Sequence, residues 1–257
     1  MKILAIGDVV GAAAVTYLKE NLWKQRDRLG ADFTVVNGEN AANIHGISPN
    51  DARDLLDAGA DLITLGNHTY GRRDFYSFLS DSNAVIRPAN YPPLAPGAGY
   101  AICSMQGYRL LCINILGTAL MEPLACPFAT VDAILKREAG QYDSALLDIH
   151  AEATSEKLAL ARYFDGRIPV MFGTHTHVQT ADEQILPCGS GYITDLGMTG
   201  PTNGIIGSEP AAVIERFRTK MPAHFQVADG PIQAQGALFE LDPSNLMQIR
   251  NVQRIRF

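Results

Sequence analysis

An alternation of short apolar runs with amphipathic stretches is the sequence feature that most constrains how this chain can fold. Apolar runs typical of buried strands occupy residues 2–6, 33–36 and 62–65. Between them, residues 12–29 and 48–59 have the periodicity or the capping residues of surface helices. Strands that alternate with helices in this way predict a doubly wound, parallel α/β core.

The rest of the chain breaks the alternation and predicts antiparallel additions to that core. Two apolar runs separated by Gln106-Gly107 have the pattern of an antiparallel hairpin. The further predictions are strands at residues 145–149, 168–172 and 192–194, a helix at residues 154–163, and a closing β-meander from residue 225 onward. Because the chain contains no linker-like segment and no internal repeat, we expect one domain, residues 1–257, with mixed sheets.

Composition restricts the class of function. A formal net charge of -6 argues against binding to duplex nucleic acid, which requires a basic surface, although metal ions could still let the chain accept a nucleotide substrate. The four cysteines lack paired spacing, so we expect reduced thiols in a cytoplasmic protein. Asp8 interrupts the apolar N-terminus, and no apolar run has the length of a transmembrane helix, so neither a signal peptide nor a membrane span is expected.

Five of the predicted strands are each followed by a residue that can bind a metal ion or transfer a proton. In chain order these residues are Asp8, Glu39 with Asn40, Asn67 with His68, His150, and His175 with His177. Ligands of open α/β sheets bind beyond the carboxyl ends of the strands, where four of the six histidines of this chain are expected to lie. The pattern therefore predicts a metal centre.

The number of candidate ligands indicates two metal ions. Two carboxylates, two amides and up to four imidazoles exceed the needs of one tetrahedral zinc ion. Their mixed nitrogen and oxygen donors suit two first-row ions such as manganese, iron, zinc or cobalt. Of these we expect iron or manganese, with zinc as the alternative. Two such ions about 3.5–4 Å apart, bridged by a carboxylate and a hydroxide, can hydrolyse phosphate esters.

The stretch Gly-Thr-His-Thr-His at residues 173–177 contributes two of these imidazoles. If the segment is extended, His175 and His177 point the same way and form the nucleus of a metal site. The alternative is a pair of loop histidines, one solvated and one hydrogen-bonded.

Several blocks of sequence carry a resemblance to known proteins. Gly7-Asp8, Gly66-Asn67-His68, His150 and Gly173-Thr-His175-Thr-His177, in this order, resemble the calcineurin-like metallophosphoesterase superfamily. Within it, residues 7–11, 36–42, 150–157, 173–183 and 194–201 look like the YmdB-like family, and the match covers essentially the whole chain. The resemblance implies an α/β fold in the form of a four-layer αββα sandwich, with two mixed β-sheets flanked by helices.

The same resemblance implies a division of the ligands between two ions. One ion would take Asp8, Asn40 and His177, the other would take Asn67, His150 and His175, and Glu39 would bridge them. The superfamily has a histidine where this chain has Val10, and it usually bridges with aspartate rather than glutamate. Asn40 could alternatively hydrogen-bond a loop carbonyl.

The implied activity is hydrolysis of 2',3'-cyclic nucleotides or similar small phosphodiesters by a metal-bound hydroxide. His68 would act near the leaving group as a catalytic residue, by stabilising phosphoryl charge or protonating the departing oxygen. A broad phosphomonoesterase and a regulatory protein that retains the metal centre are the alternatives. A homo-oligomer is possible, and the sequence does not identify the substrate-contacting residues.

Other polar residues near these motifs have two interpretations each. His45 could line the pocket mouth or be an exposed loop residue, and Asp148 could orient His150 or simply end a strand, held by a backbone N–H. Thr154 is expected to cap the next helix. Arg72 and Arg73 could contact a phosphate or begin a solvated helix.

Overall fold

Two six-stranded mixed sheets form the centre of the computed structural model, which describes residues 1–43 and 45–257. Strands are numbered along the chain, and each sheet is given in spatial order. The first sheet contains β15 (Asn245–Arg256), β14 (Gln235–Asp242), β1 (Lys2–Ile6), β3 (Phe33–Asn37), β4 (Leu62–Thr64) and β5 (Val85–Ile86). The second contains β10 (Gln184–Ile185), β11 (Gly191–Ile193), β9 (Val170–Thr174), β8 (Ser144–His150), β7 (Tyr108–Leu116) and β6 (Tyr100–Met105). A small third sheet contains β13 (Ile232–Gln233), β12 (Met198–Pro201) and β2 (Asp8–Val9).

Each large sheet has a run of parallel strands, with antiparallel strands added at one edge of the first sheet and at both edges of the second. In the first sheet, β1, β3, β4 and β5 are parallel, while β14 and β15 are antiparallel additions. In the second sheet, β7, β8, β9 and β11 are parallel, while β6 and β10 are antiparallel. Because these strands are parallel, the carboxyl ends of β1, β3 and β4 lie together at one end of the first sheet. Those of β8 and β9 lie together at one end of the second sheet.

Six α-helices of the described residues cover the outer faces of the large sheets or border the site. They are α1 (Gly11–Leu29), α2 (Pro49–Asp57), α3 (Tyr76–Asp81), α4 (Pro127–Arg137), α5 (Thr154–Phe164) and α6 (Pro210–Thr219). Within that part of the chain, none of these helices combines the length and the apolar character needed to cross a bilayer.

Alternation of side chains along the strands produces the layers. In β1, Ile3 and Ala5 pack in the core between the two sheets, whereas Leu4 and Ile6 pack against the layer of α1 and α2. The other face of the second sheet packs against α4 and α5 through residues such as Leu147. The order of layers is therefore helix, sheet, sheet, helix, which confirms the expected αββα sandwich.

Local sequence signals explain several element boundaries. Ser48 and Asp51 form a reciprocal capping box at the start of α2, with Pro49 as its first residue. The β6–β7 hairpin turns through Gln106 and Gly107, whose φ angles of 50° and 84° both lie in the left-handed region that a tight hairpin requires.

Three expectations about local structure were wrong. Residues 225–228 do not form a strand of the closing meander, because backbone hydrogen bonds of 2.9 Å from Glu209 N to Gln226 O and from Ala228 N to Gly207 O fasten this segment to a loop. Thr154 is not the N-cap of α5, since Ala153 occupies that position and its carbonyl accepts the first helical N–H groups. The strand predicted at residues 168–172 does not end before Gly173, because Gly173 pairs with Ile149 inside β9.

Candidate metal centre

The polar residues predicted at five strand ends lie close together, at the carboxyl ends of the parallel strands of both sheets. Asp8 follows β1, Glu39 and Asn40 follow β3, Asn67 and His68 follow β4, His150 ends β8, and His175 and His177 follow β9. The two sheets contribute to one cluster because the carboxyl ends of their parallel strands open on the same side.

Glu39 occupies the middle of this cluster and is fully buried. Its Oε1 lies 3.2 Å from His150 Nε2 and 3.1 Å from Asn40 Nδ2. Its Oε2 accepts the backbone N–H of His68 at 2.9 Å. One carboxylate thus contacts residues from two strand ends besides its own.

One group of donors lies around His150. Its Nε2 is 3.0 Å from Asn67 Oδ1 and 3.1 Å from His175 Nδ1. Ligand atoms of Glu39, His150 and His175 all lie within 4.8 Å of one another, which is close enough to hold one metal ion. Gly66 makes this approach possible, because a Cβ there would lie 2.3 Å from both Glu39 Oε2 and His150 Nε2.

A second group of donors lies around Asp8. His177 Nε2 is 3.7 Å from Asp8 Oδ1 and 3.3 Å from Asn40 Nδ2. Asp8 Oδ2 accepts the backbone N–H of His175 at 3.1 Å. The side chain of Asn40 contacts Glu39 at 3.1 Å, His68 at 2.7 Å and His177 at 3.3 Å. Among the described residues it makes no hydrogen bond to a loop carbonyl.

The two imidazoles of residues 173–177 reach different groups because the backbone is not extended there. His175 has φ of 102° and His177 has φ of 64°, both in the region that residues with a side chain rarely adopt. The positive φ angles at these two positions, on either side of Thr176, turn His175 toward His150 and His177 toward Asp8. The expectation for an extended segment, in which both rings point the same way, is therefore wrong.

A buried ion pair supports this turn from below. Lys157 Nζ donates to Asp195 Oδ2 at 2.8 Å, and both side chains are essentially inaccessible. The same oxygen accepts the backbone N–H of Thr176 at 3.1 Å and its hydroxyl at 2.8 Å. Both charged residues lie in blocks that carried the family resemblance, yet the sequence alone assigned them no role.

A chain of hydrogen bonds orients His150 from behind. Its Nδ1 lies 2.8 Å from Thr174 Oγ1, which in turn donates to Asp148 Oδ1 at 2.7 Å. Asp148 also accepts the hydroxyl of Thr64 at 2.5 Å, so side chains rather than a backbone N–H hold it. A donor hydrogen at Nδ1 leaves Nε2 as the ligating atom, which is the arrangement that metal-binding histidines commonly use.

Burial and mutual charge set the electrostatics of the cluster. Burial disfavours the charged form of Glu39, but neighbouring imidazoles outweigh it and hold the pKa of this carboxyl well below its usual range. Burial likewise opposes the His150 cation, yet the nearby carboxylates raise its pKa to about 9. Burial and the neighbouring His150 lower the pKa of His175 to about 3, and burial raises the pKa of Asp8. The buried carboxylates Glu39 and Asp8 therefore favour a nearby cation, which a metal ion can supply, whereas His175 is neutral, the form that binds metal.

His68 lies at the boundary between the cluster and an open cavity of about 530 Å³. Its Nδ1 is 2.7 Å from Asn40 Oδ1 and 3.3 Å from Glu39 Oε1, and its side chain is partly exposed. His45 packs edge-on against the His68 ring, with centroids 4.3 Å apart, and lines the same cavity. Of the two interpretations of His45, the structure favours the pocket mouth.

Arg72 lies outside this cavity. It forms an exposed ion pair with Asp74 at 2.7 Å, consistent with the solvated start of a helix.

Comparisons with known proteins place the chain in a family. Its sequence matches the family model described as "YmdB-like protein" over residues 4–255. This chain belongs to the YmdB-like family. A protein of Bacillus subtilis (strain 168) described as "2',3'-cyclic-nucleotide 2'-phosphodiesterase" is 42% identical over 255 residues, which cover 99% of this chain and 96% of the relative.

Two solved structures share the fold over the whole of this chain. A crystal structure of a hypothetical protein from Thermus thermophilus has a TM-score of 0.94 at 38% identity and covers 100% of this chain and 99% of that one. A Mycoplasma pneumoniae structure described as a novel phosphatase has a TM-score of 0.94 at 33% identity and covers 100% and 93%. The resemblance to the YmdB-like family is therefore confirmed.

The donor set of this YmdB-like chain fits metal ions. Asp8 Oδ1 is buried and has no hydrogen-bond partner among the described residues, although it points into a cluster of potential ligands. An unpaired buried carboxylate oxygen is costly unless a cation satisfies it. Val10, at the position of the superfamily histidine, instead packs toward Gly200 and Gly207.

The sequence did not reveal the other lining of the cavity. The residues concerned are Ile206, Val213, Arg216, Phe217 and Phe225, which come from α6 and two flanking loops. They lie far along the chain from every metal-ligand motif, and their types alone resemble ordinary surface or core positions.

Proposed function

We propose that this chain is a dinuclear-metal phosphodiesterase in which Glu39 is shared by two ions. Asp8, Asn40 and His177 would hold one ion, and Asn67, His150 and His175 would hold the other. The observation that carries the proposal is the arrangement of two separate donor groups on either side of one buried carboxylate. The mixed donors suit iron or manganese and are compatible with zinc.

Phosphoester hydrolysis is the chemistry of the family to which the chain belongs. The 42% identical relative from Bacillus subtilis is a 2',3'-cyclic-nucleotide 2'-phosphodiesterase, so this chain is a hydrolase of the same broad class. We propose 2',3'-cyclic nucleotides, or small phosphodiesters of similar shape, as its substrates. When bound, the metal ions would supply an activated water and would stabilise charge on the phosphoryl oxygens.

His68 would move the proton needed by the leaving oxygen. Its Nδ1 is engaged by Asn40 Oδ1 at 2.7 Å, so Nε2 is the atom that would give a proton to a substrate in the cavity. The bond from its backbone N–H to Glu39 fixes the position of the ring relative to the donors. His68 would therefore donate a proton to the substrate, while its neighbour Asn67 would bind a metal ion.

A phosphomonoesterase is the second candidate, because the Mycoplasma pneumoniae relative is described as a phosphatase. The same donors would serve either reaction, and the shape of the cavity would decide between them. A regulatory protein that merely keeps the metals would need no positioned His68.

The proposal is tested with purified protein loaded with manganese or iron. We expect turnover of 2',3'-cyclic AMP, with less turnover of 3',5'-cyclic AMP and of a phosphomonoester. Turnover of the monoester alone would favour the phosphatase. Absence of turnover for all three by protein with full metal content would leave the regulatory interpretation.

A further inference from the structure

The cavity above the metal centre has two unlike parts. One part is polar and is lined by Glu39, His68 and His177 of the proposed metal and proton-transfer site. The other part is apolar and aromatic, and we call it the aromatic wall. It consists of Ile206, Val213, Arg216, Phe217 and Phe225. With the proposed metal ions bound, a ligand that fills the whole cavity would combine an anionic end with a flat or apolar end.

The aromatic wall is fastened to the metal site. The carbonyl of Ile206 accepts a hydrogen bond of 2.9 Å from Nδ1 of His177. The loop that contains Ile206 is bonded in turn to the segment that contains Phe225, through Glu209 N to Gln226 O and Ala228 N to Gly207 O, both 2.9 Å. Hydrogen bonds therefore link the Ile206 loop directly to the proposed ligand His177 and link the Phe225 segment to that loop.

The wall also exposes large apolar side chains that belong to none of the hydrophobic core clusters formed by the described residues. Phe217 is 70% exposed and Ile206 is 52% exposed, although both line a cavity. The Arg216 guanidinium lies over the ring of Phe225, 5.8 Å from its centroid. Exposed apolar surface beside a cluster of potential metal ligands is typical of a ligand-binding surface.

We propose that the aromatic wall binds the base of a nucleotide whose phosphodiester lies at the metal centre. This inference rests on the proposed function and deepens it. Aromatic side chains stack on any nucleobase, because every base has a π-face, and a cavity of about 530 Å³ has the size of a small-ligand site. Stacking gives little discrimination between bases, so the enzyme should require a base and tolerate its identity.

The test compares two substrates that share a five-membered cyclic phosphodiester. 2',3'-Cyclic AMP carries a base, and glycerol 1,2-cyclic phosphate does not. Phe217→Ala and Phe225→Ala should each lower kcat/KM for the nucleotide by about 5- to 100-fold, the range expected for loss of stacking. Their kcat/KM for the base-free substrate should stay within about twofold of wild type, and Phe217→Trp should retain activity on the nucleotide.

Ile214→Ala is the matched control. Ile214 lies on the same helix and is 48% exposed, but it does not line this cavity. This variant should leave kcat/KM unchanged for both substrates. Equal losses on both substrates, with or without a change of oligomeric state in size-exclusion chromatography, would overturn the base site.

Equilibrium binding separates this inference from the proposed function. If metal-loaded wild type hydrolyses neither cyclic diester, the proposed function fails, and the wall is then judged by binding of adenosine 3'-monophosphate. The Kd of this nucleotide should still be about 5- to 100-fold weaker in Phe217→Ala. An unchanged Kd would overturn the base site whatever the activity.

Discussion

At the scale of single residues, contacts distinguish side chains that would bind metal from those that would act on substrate. Asn67 and His68 are adjacent in sequence, yet Asn67 Oδ1 faces His150 while the His68 ring borders the cavity. Asp148 is fully buried behind His150 and contacts it through the hydroxyl of Thr174. Proton transfer, metal binding and ligand orientation can therefore be tested separately.

Replacement of His68 by alanine should impair catalysis without removing metal. A positioned acid or base contributes about 10²- to 10⁴-fold to rate, so we expect kcat to fall by about 10²-fold or more. Elemental analysis should give wild-type metal content, because His68 is not among the proposed ligands. An unchanged kcat would remove His68 from the mechanism.

Replacement of Thr174 by valine should weaken metal binding. The variant keeps the shape of the side chain but loses the hydroxyl that links His150 Nδ1 to Asp148. Loss of such an orienting partner typically lowers metal affinity about 10- to 100-fold, which a competition titration with a chelator would measure.

Thr34→Val is the matched control for this measurement. Thr34 is also fully buried on a strand, but its hydroxyl has no hydrogen-bond partner among the described residues. Metal affinity should not change in this variant. Equal effects of the two substitutions would contradict a specific role for Thr174.

At the scale of elements, strand ends were predictable from sequence and the turn between two ligands was not. Apolar runs that stop at a polar residue identify the carboxyl ends of β1, β3, β4, β8 and β9. The left-handed φ angles of His175 and His177 have no local signal, because neither is glycine. They depend on Lys157 and Asp195, which lie on other elements and are brought together only by the fold.

The segment at residues 225–228 illustrates the same limit. Its apolar and polar alternation predicts a strand, but among the described residues it pairs through one isolated antiparallel bridge, between Val227 and Ser208. Hydrogen bonds to the loop before α6 hold it as part of the aromatic wall instead. Contacts with residues distant in sequence therefore determine both the turn at residues 175–177 and the conformation of residues 225–228, and local sequence patterns do not predict such contacts.

Removal of the cation beneath the turn should destabilise the fold. Lys157→Met leaves Asp195 buried and without its ion-pair partner, which typically costs about 3–5 kcal/mol. Urea denaturation should detect the loss as a lower free energy of unfolding.

Arg109→Met is the control for that measurement, since Arg109 pairs with Asp143 at an exposed position. An exposed ion pair contributes about 1 kcal/mol or less. A loss in Lys157→Met no larger than in this control would show that the buried pair does not support the turn.

At the scale of the whole molecule, both sheets contribute to the proposed metal site. Asp8, Glu39 and Asn67 follow strands of the first sheet, and His150 and His175 belong to or follow strands of the second. The layer order was predictable through the family resemblance, whereas the shape of the cavity was not. That residues 1–257 form a single domain stays a prediction, as do a cytoplasmic location and the oligomeric state.

Metal binding should therefore stabilise the chain as one unit. Each bound ion, at about 100 times its Kd, should add about 2.7 kcal/mol to the free energy of unfolding. A chelator should lower the unfolding midpoint, but in each condition the fluorescence of Trp23, on α1, and far-ultraviolet circular dichroism should report the same midpoint as each other. Separate transitions for the two probes would contradict a single cooperative domain.

The central claim is that two ions share Glu39, and metal counting tests it most directly. Elemental analysis of wild type should give about two ions per chain, and His175→Ala and His177→Ala should each retain about one. Glu39→Ala should lose both, while His224→Ala, at an exposed position outside the cluster, should keep both. One ion per wild-type chain, or full occupancy in Glu39→Ala and His175→Ala, would contradict the shared dinuclear site.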